Sequence, residues 1–235
     1  MIFQHPGLIC AFSKQPQNMS LDYGDTGDSL SNRKLFLNSL GIDYRALVCA
    51  KQVHATAVRY VTKADRGKGA LSASQAIADT DSLVTNEKNL PLAIFTADCL
   101  SVFIYDPKHS AIANTHAGWR STHGKICVKT LGLMSEKFRT EPADVYIGFG
   151  PSIGKCCYRV GKEFSNYFPQ SVRKENQNYF FDLAGENLRQ LLETGVVLEK
   201  VSLSNICTSC KISEYFSFRK QGNACGRMMS VIMLK

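Results

Sequence analysis

Three side chains that bind metals or act as nucleophiles stand at the ends of apolar runs. His54 closes the block KQVH, Cys99 follows PLAIFTAD, and His116 follows SAIANT. Because strand ends carry sites while strand interiors carry packing, a shared sheet would bring these side chains together. Two imidazoles and one thiolate with an open fourth position form the donor set of a catalytic zinc ion. The trio also fits a cysteine nucleophile with a histidine base or three unrelated core residues, and spacing alone leaves these alternatives open.

The residues around this trio could bind an anionic or aromatic ligand. In HAGWR, Gly118 permits a tight turn or the close approach of a ligand. Trp119 offers a face for stacking, and Arg120 carries a planar, permanently charged donor for phosphate or carboxylate. Asp98, beside Cys99, could orient a ligand or accept a proton, although such a position also suits a turn residue.

Strands must position these groups, and four short apolar runs in succession predict them. The runs are rich in β-branched and aromatic residues and are separated by turn signals. They cover residues 81–85, 91–97, 101–106 and 110–115. Further strands are predicted at 47–50, 57–62, 144–150, 201–204, 215–220 and 228–234.

Helices are fewer than strands in this sequence. Residues 122–138 place apolar side chains at helical spacing. A second helix is predicted over 182–195, with Asp182 as N-cap and Gly195 just past its end. Consecutive strands with few helices predict an α+β layered domain built on mixed sheets.

Size and composition indicate one compact unit over residues 1–235. The chain contains 44% hydrophobic and 20% charged residues and has no repeat or long linker. It has no apolar run of the roughly 18 residues that a membrane span needs. Residues 1–15 have neither the basic leader nor the apolar core of a signal peptide, so we expect a cytoplasmic protein.

The formal net charge of +8 is spread along the whole chain. Scattered basic residues are typical of a solvated surface, so a nucleic-acid partner is not expected. A pocket for anionic or phosphorylated small molecules is the better functional use of this charge. No membrane partner is expected, and the sequence leaves the oligomeric state open.

The nine cysteines are an odd number in a chain too large to need disulfides, so we expect free thiols in a reducing compartment. Cys207 and Cys210 form a C-x-x-C pair, but only Cys225 lies near them in sequence to complete a metal site. Cys156 and Cys157 are adjacent, and adjacent side chains point apart in a strand. We therefore predict packed free thiols at these positions.

Several blocks, in order and over nearly the full length, resemble the YfiH-type or laccase-domain family. They are KQVH, ADTDSLVT, TADCLSVFIYD, THAGWRST, GPSIGKCCYRVG and the C-terminal segment that begins NICTSC. Members are variously labelled multicopper polyphenol oxidase, purine nucleoside phosphorylase and peptidoglycan-editing factor. The resemblance implies a YfiH-like fold with α/β/β/α layers and mixed sheets. It also implies a catalytic metal centre, usually described as zinc, at His54, Cys99 and His116.

The resemblance further implies phosphorolysis of adenosine, inosine and similar nucleosides to base and ribose 1-phosphate, with adenosine deamination as a second activity. Arg120 is the candidate for phosphate binding. Asp98 and Arg219 are further candidates for the substrate site, and Arg227 lies in the same C-terminal block. A surface or interface salt link is an equally good interpretation of Arg219 and Arg227.

Three alternatives stay open. Cys99, activated by His116, could be the nucleophile of a hydrolase that edits a peptidoglycan precursor. Copper-dependent phenol oxidation is less favoured, because multicopper sites need many imidazoles and the chain has five histidines and no H-x-H pair. The third alternative is a non-catalytic binding protein, which would close the metal site with a fourth ligand.

The sequence departs from the family pattern beside each proposed ligand. Ala55 and Ser121 stand where glycine is usual, and Ser101 stands where proline is usual. No ligand is lost, so we expect these changes to alter loop shape and substrate entry.

Overall fold

A computed structural model describes residues 5–235, which form strands and helices in a mixed order. The strands are β1 (Leu8–Phe12), β2 (Val48–Cys49), β3 (Val58–Tyr60), β4 (Ser82–Thr85), β5 (Leu92–Thr96), β6 (Leu100–Asp106), β7 (Ala111–Ala117), β8 (Tyr146–Phe149), β9 (Arg159–Val160), β10 (Val172–Glu175), β11 (Asn178–Phe181), β12 (Val201–Leu203) and β13 (Met228–Leu234). The α-helices are α1 (Ser29–Ser39), α2 (Trp119–His123), α3 (Ile126–Phe138), α4 (Phe164–Tyr167), α5 (Leu183–Leu192) and α6 (Phe218–Gln221).

Two large mixed sheets organise the fold. One has four strands in the order β1-β13-β5-β2, and the other has six in the order β12-β8-β6-β7-β4-β3. A small sheet, β10-β11-β9, stands apart from both. Each large sheet combines antiparallel pairs with parallel ones, such as β2 with β5 and β3 with β4.

The helices cover the outer faces of the two large sheets. Side chains alternate across a strand, so β6 places Phe103 in the core between the sheets and Ile104 in the core under α3 and α5. On the other side, Leu37 of α1 packs with Val231 of the four-stranded sheet. The layers therefore follow the predicted α/β/β/α order, and the α+β prediction with mixed sheets is confirmed.

The four strands predicted in succession are confirmed as β4 to β7. The predicted helix over 122–138 is in fact two helices, because Lys125 adopts φ 60° and interrupts the segment between α2 and α3. Asp182 caps α5 as predicted, since its side chain accepts a hydrogen bond from the Gly185 N–H.

The strand predicted over 215–220 is wrong. Tyr215 and Phe216 are buried in a small apolar core with Met228, and the four-residue helix α6 follows them. Their aromatic character reflects burial in this core rather than a place in a sheet.

No helix in residues 5–235 is long and apolar enough to cross a membrane. The single unit predicted over residues 1–235 stays a prediction. Residues 1–4, which also begin the segment examined for a signal peptide, lie outside the described range.

Candidate functional site

His54, Cys99 and His116 come together at one point. One ligand atom of each lies within 4.8 Å of those of the other two. The Cys99 Sγ is 3.9 Å from the His54 Nε2, and the two imidazole rings have centroids 4.7 Å apart. His54 is in the loop after β2, Cys99 is in the turn from β5 to β6, and His116 is near the end of β7. The shared sheet expected from the sequence is wrong, because β2 and β5 belong to the four-stranded sheet and β7 to the six-stranded one. The packing of the two sheets brings together residues that are 17 and 45 positions apart in sequence.

A fourth residue, Asp81, fixes the orientation of this trio. Its buried Oδ1 accepts a hydrogen bond from the His116 Nδ1 at 2.7 Å and one from the backbone N–H of His54 at 3.0 Å. Its Oδ2 accepts the backbone N–H groups of Val53 and Ala55. One carboxylate therefore holds both the His116 ring and the loop that carries His54.

The arrangement fits a metal ion. A histidine ligand usually donates its second ring N–H to a carboxylate or carbonyl, which fixes the tautomer and leaves the other nitrogen free to coordinate. Asp81 does this for His116 at Nδ1, so the His116 Nε2 is left free for a metal. Imidazole nitrogens with a cysteine sulfur suit zinc and copper.

Electrostatics also favour the thiolate form of Cys99. Burial opposes ionisation of the thiol, but the charge of His116 and hydrogen bonds from His116 and His54 outweigh it and lower the pKa of Cys99 to about 6. Burial likewise opposes the charged form of His116, yet the Cys99 thiolate and Asp81 raise its pKa to about 9. At neutral pH the metal-free pair is therefore a thiolate beside an imidazolium, and the thiolate is the form that binds metal or acts as a nucleophile.

Asp98 holds the turn that presents Cys99. Its backbone has φ 83°, a left-handed conformation that is uncommon for a residue with a side chain. Its Oδ1 accepts a hydrogen bond from the Thr208 hydroxyl at 2.7 Å, and its Oδ2 accepts the backbone N–H of Arg219 at 2.7 Å. Because both carboxylate oxygens are engaged within the protein, Asp98 is arranged to position Cys99. Its predicted role in binding substrate stays a prediction.

Gly118 leaves room for the trio. A Cβ atom at this position would lie 3.0 Å from the His54 Cδ2 and 3.2 Å from the Cys99 Sγ. Its φ of −81° is accessible to any residue, so the need for glycine here is steric and not conformational.

Replacing Gly118 with alanine should weaken metal binding at the trio about tenfold, a loss typical of disturbed support around metal ligands. The added methyl group must displace His54 or Cys99 by a few tenths of an ångström. Competition with a chromophoric chelator would measure the affinity. The matched control is Gly132→Ala in α3, where a Cβ meets no atom within 4 Å, so metal affinity should not change. Unchanged affinity in Gly118→Ala would contradict this steric role.

A cavity of about 640 Å³ opens onto the trio. This volume lies within the range of small-molecule sites, about 300–1,000 Å³. Its lining includes five lysine or arginine and two aspartate side chains, together with aromatic residues that include Trp119 and Tyr158. The cavity is therefore suited to a ligand that combines negative charge with a flat apolar part.

The three arginines named from the sequence all line this cavity, but they differ in their contacts. Arg219 donates to the backbone carbonyl of Arg159, and Arg227 donates to the carbonyls of Cys225 and Gly226. The Arg120 guanidinium lies 4.4 Å from the centroid of the neighbouring tryptophan ring and has no hydrogen bond or ion pair within residues 5–235. Its donors are thus the freest for an anion.

The three residues that depart from the family pattern each make a hydrogen bond within the protein. The buried Ser121 hydroxyl accepts the Gly118 backbone N–H at 2.9 Å. Ser101 is in the buried strand β6, where its hydroxyl donates to Ser230 of the neighbouring sheet at 2.7 Å. Ala55 donates to Asp81, as described above. Ser101 therefore links the two sheets and does not shape a substrate loop, in contrast to our expectation.

Sequence reasoning assigned no role to two residues that support the site. Asp81 is in the block ADTDSLVT, but its contacts depend on the pairing of β4 with β7. Gln52 uses both ends of its amide, donating to the carbonyl of Phe95 and accepting its N–H, and thereby attaches the KQVH loop to β5. Gln52 stands two residues before His54, which was an available signal. Asp81 is 27 residues from His54 and stands beside no candidate ligand, so only its place in a block shared with the family pointed to it.

Comparisons with known proteins agree over most of the chain. A sequence model of the family described as multi-copper polyphenol oxidoreductase laccase matches residues 10–235. The chain is 35% identical over 216 residues to a Bacillus subtilis protein named purine nucleoside phosphorylase YlmD, covering 88% of this chain and 78% of that protein. It is 27% identical over 215 residues to a protein named adenosine deaminase RL5 from an unknown prokaryotic organism, covering 88% of this chain and 82% of that protein. The crystal structure of YlmD from Geobacillus stearothermophilus superposes with a TM-score of 0.93 at 32% identity, covering 98% of this chain and 93% of that one.

Proposed function

The chain belongs to the multi-copper polyphenol oxidoreductase laccase family, and we propose that within it this protein is a zinc-dependent purine nucleoside phosphorylase that also deaminates adenosine. The observation that carries the proposal is the cluster of His54, Cys99 and His116 on the wall of a cavity rich in arginine and aromatic side chains. The names of the relatives, purine nucleoside phosphorylase and adenosine deaminase, support the substrate class. We further propose a cytoplasmic location.

In phosphorolysis, an oxygen of phosphate forms a bond to C1′ of the ribose while the bond from C1′ to the purine nitrogen breaks. Arg120 would hold the phosphate dianion through charge-assisted hydrogen bonds, which are stronger than neutral ones. Trp119 and Tyr158 line the cavity and would supply aromatic surface for contact with the purine. Asp81 keeps His116 in one tautomer, and Asp98 holds Cys99 in place, so these groups need no rearrangement during the reaction.

His54, Cys99 and His116 would hold the zinc ion. When bound there, zinc supplies a Lewis acid that stabilises negative charge developing on the substrate or activates water for deamination. Deamination needs water and no phosphate, so the two activities place different demands on Arg120.

Copper chemistry of the multicopper type finds less support. Of the five histidines, only His54 and His116 belong to a possible metal-binding group in the part of the chain that the structure describes. Multicopper oxidation needs several copper ions and more imidazoles than this cluster offers.

A second candidate, a thiol hydrolase, is favoured by one observation. Asp81, His116 and Cys99 are arranged in the order carboxylate, imidazole and thiolate that activates a cysteine nucleophile. Its substrate would carry an amide or ester, as in a cell-wall precursor. The two candidates differ in the effect of zinc, because a thiolate that binds zinc loses its nucleophilicity.

The experiment that tests the proposal compares two reactions in wild type and Arg120→Gln. Wild type should convert inosine to hypoxanthine and ribose 1-phosphate only with phosphate present. Loss of a charge-assisted hydrogen bond costs about 1.5–3 kcal/mol, so the variant should raise the phosphate KM about 10- to 100-fold. Deamination of adenosine should change by less than about threefold, because that reaction has no phosphate to bind.

Chromatographic assay of base and nucleoside would measure both reactions. Arg59→Gln, at an exposed position on β3 that does not line the cavity, is the matched control and should leave the phosphate KM unchanged. Release of base without phosphate, or an unchanged phosphate KM in Arg120→Gln, would contradict the assignment.

A further inference from the structure

Four cysteines outside the site described above meet at one point on the surface. The Sγ atoms of four cysteines all lie within 4.8 Å of one another: Cys156, Cys157, Cys207 and Cys210. The Cys210 Sγ is 3.6 Å from that of Cys156 and 3.4 Å from that of Cys157. All four are free thiols, and none is fully buried. The thiols are free, as predicted, but the prediction that Cys156 and Cys157 point apart is wrong, because both belong to this group.

The prediction failed because Cys156 and Cys157 are not in a strand. Residues 155–157 form a turn, so the two adjacent side chains need not point to opposite faces. The C-x-x-C pair likewise begins at a bridge residue and continues in a turn over 208–210. A parallel bridge between Ser152 and Cys207 aligns these two loops, which are more than 50 residues apart in sequence.

The backbone at Gly154 supports the cysteine cluster in two ways. The Gly154 N–H donates to the Cys207 Sγ at 3.2 Å. A Cβ on Gly154 would lie 3.2 Å from the Cys207 Cβ and 3.4 Å from the Cys156 Sγ, so glycine permits the close approach of the two loops. Hydrogen bonds from backbone N–H groups to ligand sulfur are typical support for metal-bound thiolates.

From this geometry we propose a second zinc site, structural in role, with four sulfur ligands: Cys156, Cys157, Cys207 and Cys210. Zinc binds thiolate at about 2.3 Å, which sets the sulfur atoms of a tetrahedral site about 3.8 Å apart. The observed contacts of 3.4 and 3.6 Å lie close to this spacing. Four protein ligands leave no open position, so this site would stabilise structure and would not perform catalysis.

The site would join two loops that support the Cys99 turn. The Ile153 N–H donates to the backbone carbonyl of Asp98 at 2.8 Å, and the Thr208 hydroxyl donates to its carboxylate. Ile153 is three residues before Cys156, and Thr208 is next to Cys207. A metal that clamps the two loops would therefore hold both donors against Asp98 and stabilise its left-handed backbone.

The test counts zinc in reduced, full-length protein by plasma mass spectrometry, and it does not depend on nucleoside turnover. Wild type should hold two zinc ions per chain. Cys156→Ser with Cys210→Ser should hold one, because the four-sulfur site would retain only two thiolates. Cys127→Ser is the matched control and should still hold two, since a serine hydroxyl can keep the hydrogen bond from Cys127 to Asn187.

A second variant keeps the proposal testable if the double variant does not fold. Cys99→Ser leaves all four cysteines intact and should retain one zinc ion. Replaced by cobalt, that ion should give the strong sulfur-to-cobalt charge transfer of four thiolate ligands. A Cys99→Ser protein that holds no metal, or holds iron, would overturn the zinc assignment. A wild-type zinc count unchanged by the double substitution, or disulfides among these cysteines in freshly reduced protein, would do the same.

A count of one zinc ion in Cys99→Ser without any phosphorolysis in wild type would support the structural site and contradict the proposed function. The two proposals can therefore fail separately.

Discussion

Cys99→Ser should lose one zinc ion per chain and lower kcat/KM for the phosphorolysis of inosine about 1000-fold. Serine is close to cysteine in size, so the fold should persist, but a hydroxyl at neutral pH is a poor zinc ligand. Removing a Lewis acid that contributes several kcal/mol to the stability of the transition state gives a loss of this order. Metal analysis and the phosphate-dependent release of hypoxanthine would measure the two effects together.

Alkylation of Cys99 in wild type, with and without added zinc, distinguishes the phosphorylase from the thiol hydrolase. In metal-free wild type, Cys99 should react with iodoacetamide with a midpoint near pH 6, because His116 stabilises its thiolate. Zinc should then protect Cys99 from alkylation and restore nucleoside turnover. Inhibition by zinc of an activity that depends on Cys99 would favour the hydrolase and contradict the phosphorylase.

The matched control is Cys127→Ser, which changes a buried cysteine in α3 outside both clusters. It should keep the zinc count, the turnover and the alkylation midpoint of wild type. A parallel loss in this variant would mean that the effect of Cys99→Ser reflects general destabilisation of the fold.

The central strands and the ligand trio were predictable from local sequence. The runs that became β4 to β7 combine β-branched residues with clear turn signals, so each strand could be recognised by itself. His54, Cys99 and His116 were visible as reactive residues at strand ends. Only the resemblance to a family favoured them as one centre, because spacings of 45 and 17 residues match no short metal motif.

Features that depend on long-range contacts were not predictable in this way. Helix α1 gave no clear periodic signal, since its buried positions include Ser29 and Arg33 beside Leu37. The charged Arg33 side chain can be buried because its guanidinium donates hydrogen bonds to backbone carbonyls, those of Met19, Gly69 and Ala70. A charged residue satisfied by distant carbonyls gives no apolar pattern in its own segment.

The prediction for the four clustered cysteines was wrong for a related reason. A strand at Cys156 and Cys157 would place their side chains on opposite faces. The two residues are instead in a turn, and both Sγ atoms contact that of Cys210. The C-x-x-C pair seemed incomplete because its partners lie about 50 residues earlier in the chain. Local turn geometry and one parallel bridge decide the outcome, and neither is encoded in residue spacing.

Asp81→Asn should be the most damaging conservative substitution outside the ligands themselves. All four hydrogen bonds to Asp81 come from donors: the His116 ring and the backbone N–H groups of Val53, His54 and Ala55. Asparagine offers one oxygen and one NH₂ group, so whichever way it faces, its NH₂ opposes two donors. Leaving two of these donors unpaired, or breaking the buried ion pair with His116, should lower the free energy of unfolding by about 3 kcal/mol.

The same substitution should weaken zinc binding about 10- to 100-fold, because His116 would lose the partner that fixes its tautomer. Chemical denaturation and chelator competition would measure the two effects. Asp79→Asn is the matched control: Asp79 is exposed and has φ 47°, a conformation that asparagine tolerates well, so neither quantity should change. If Asp81→Asn were destabilised yet bound zinc with wild-type affinity, Asp81 would stabilise the His54 loop without orienting His116. Loss of affinity at unchanged stability would mean the opposite, and only the combined loss agrees with one carboxylate that serves both.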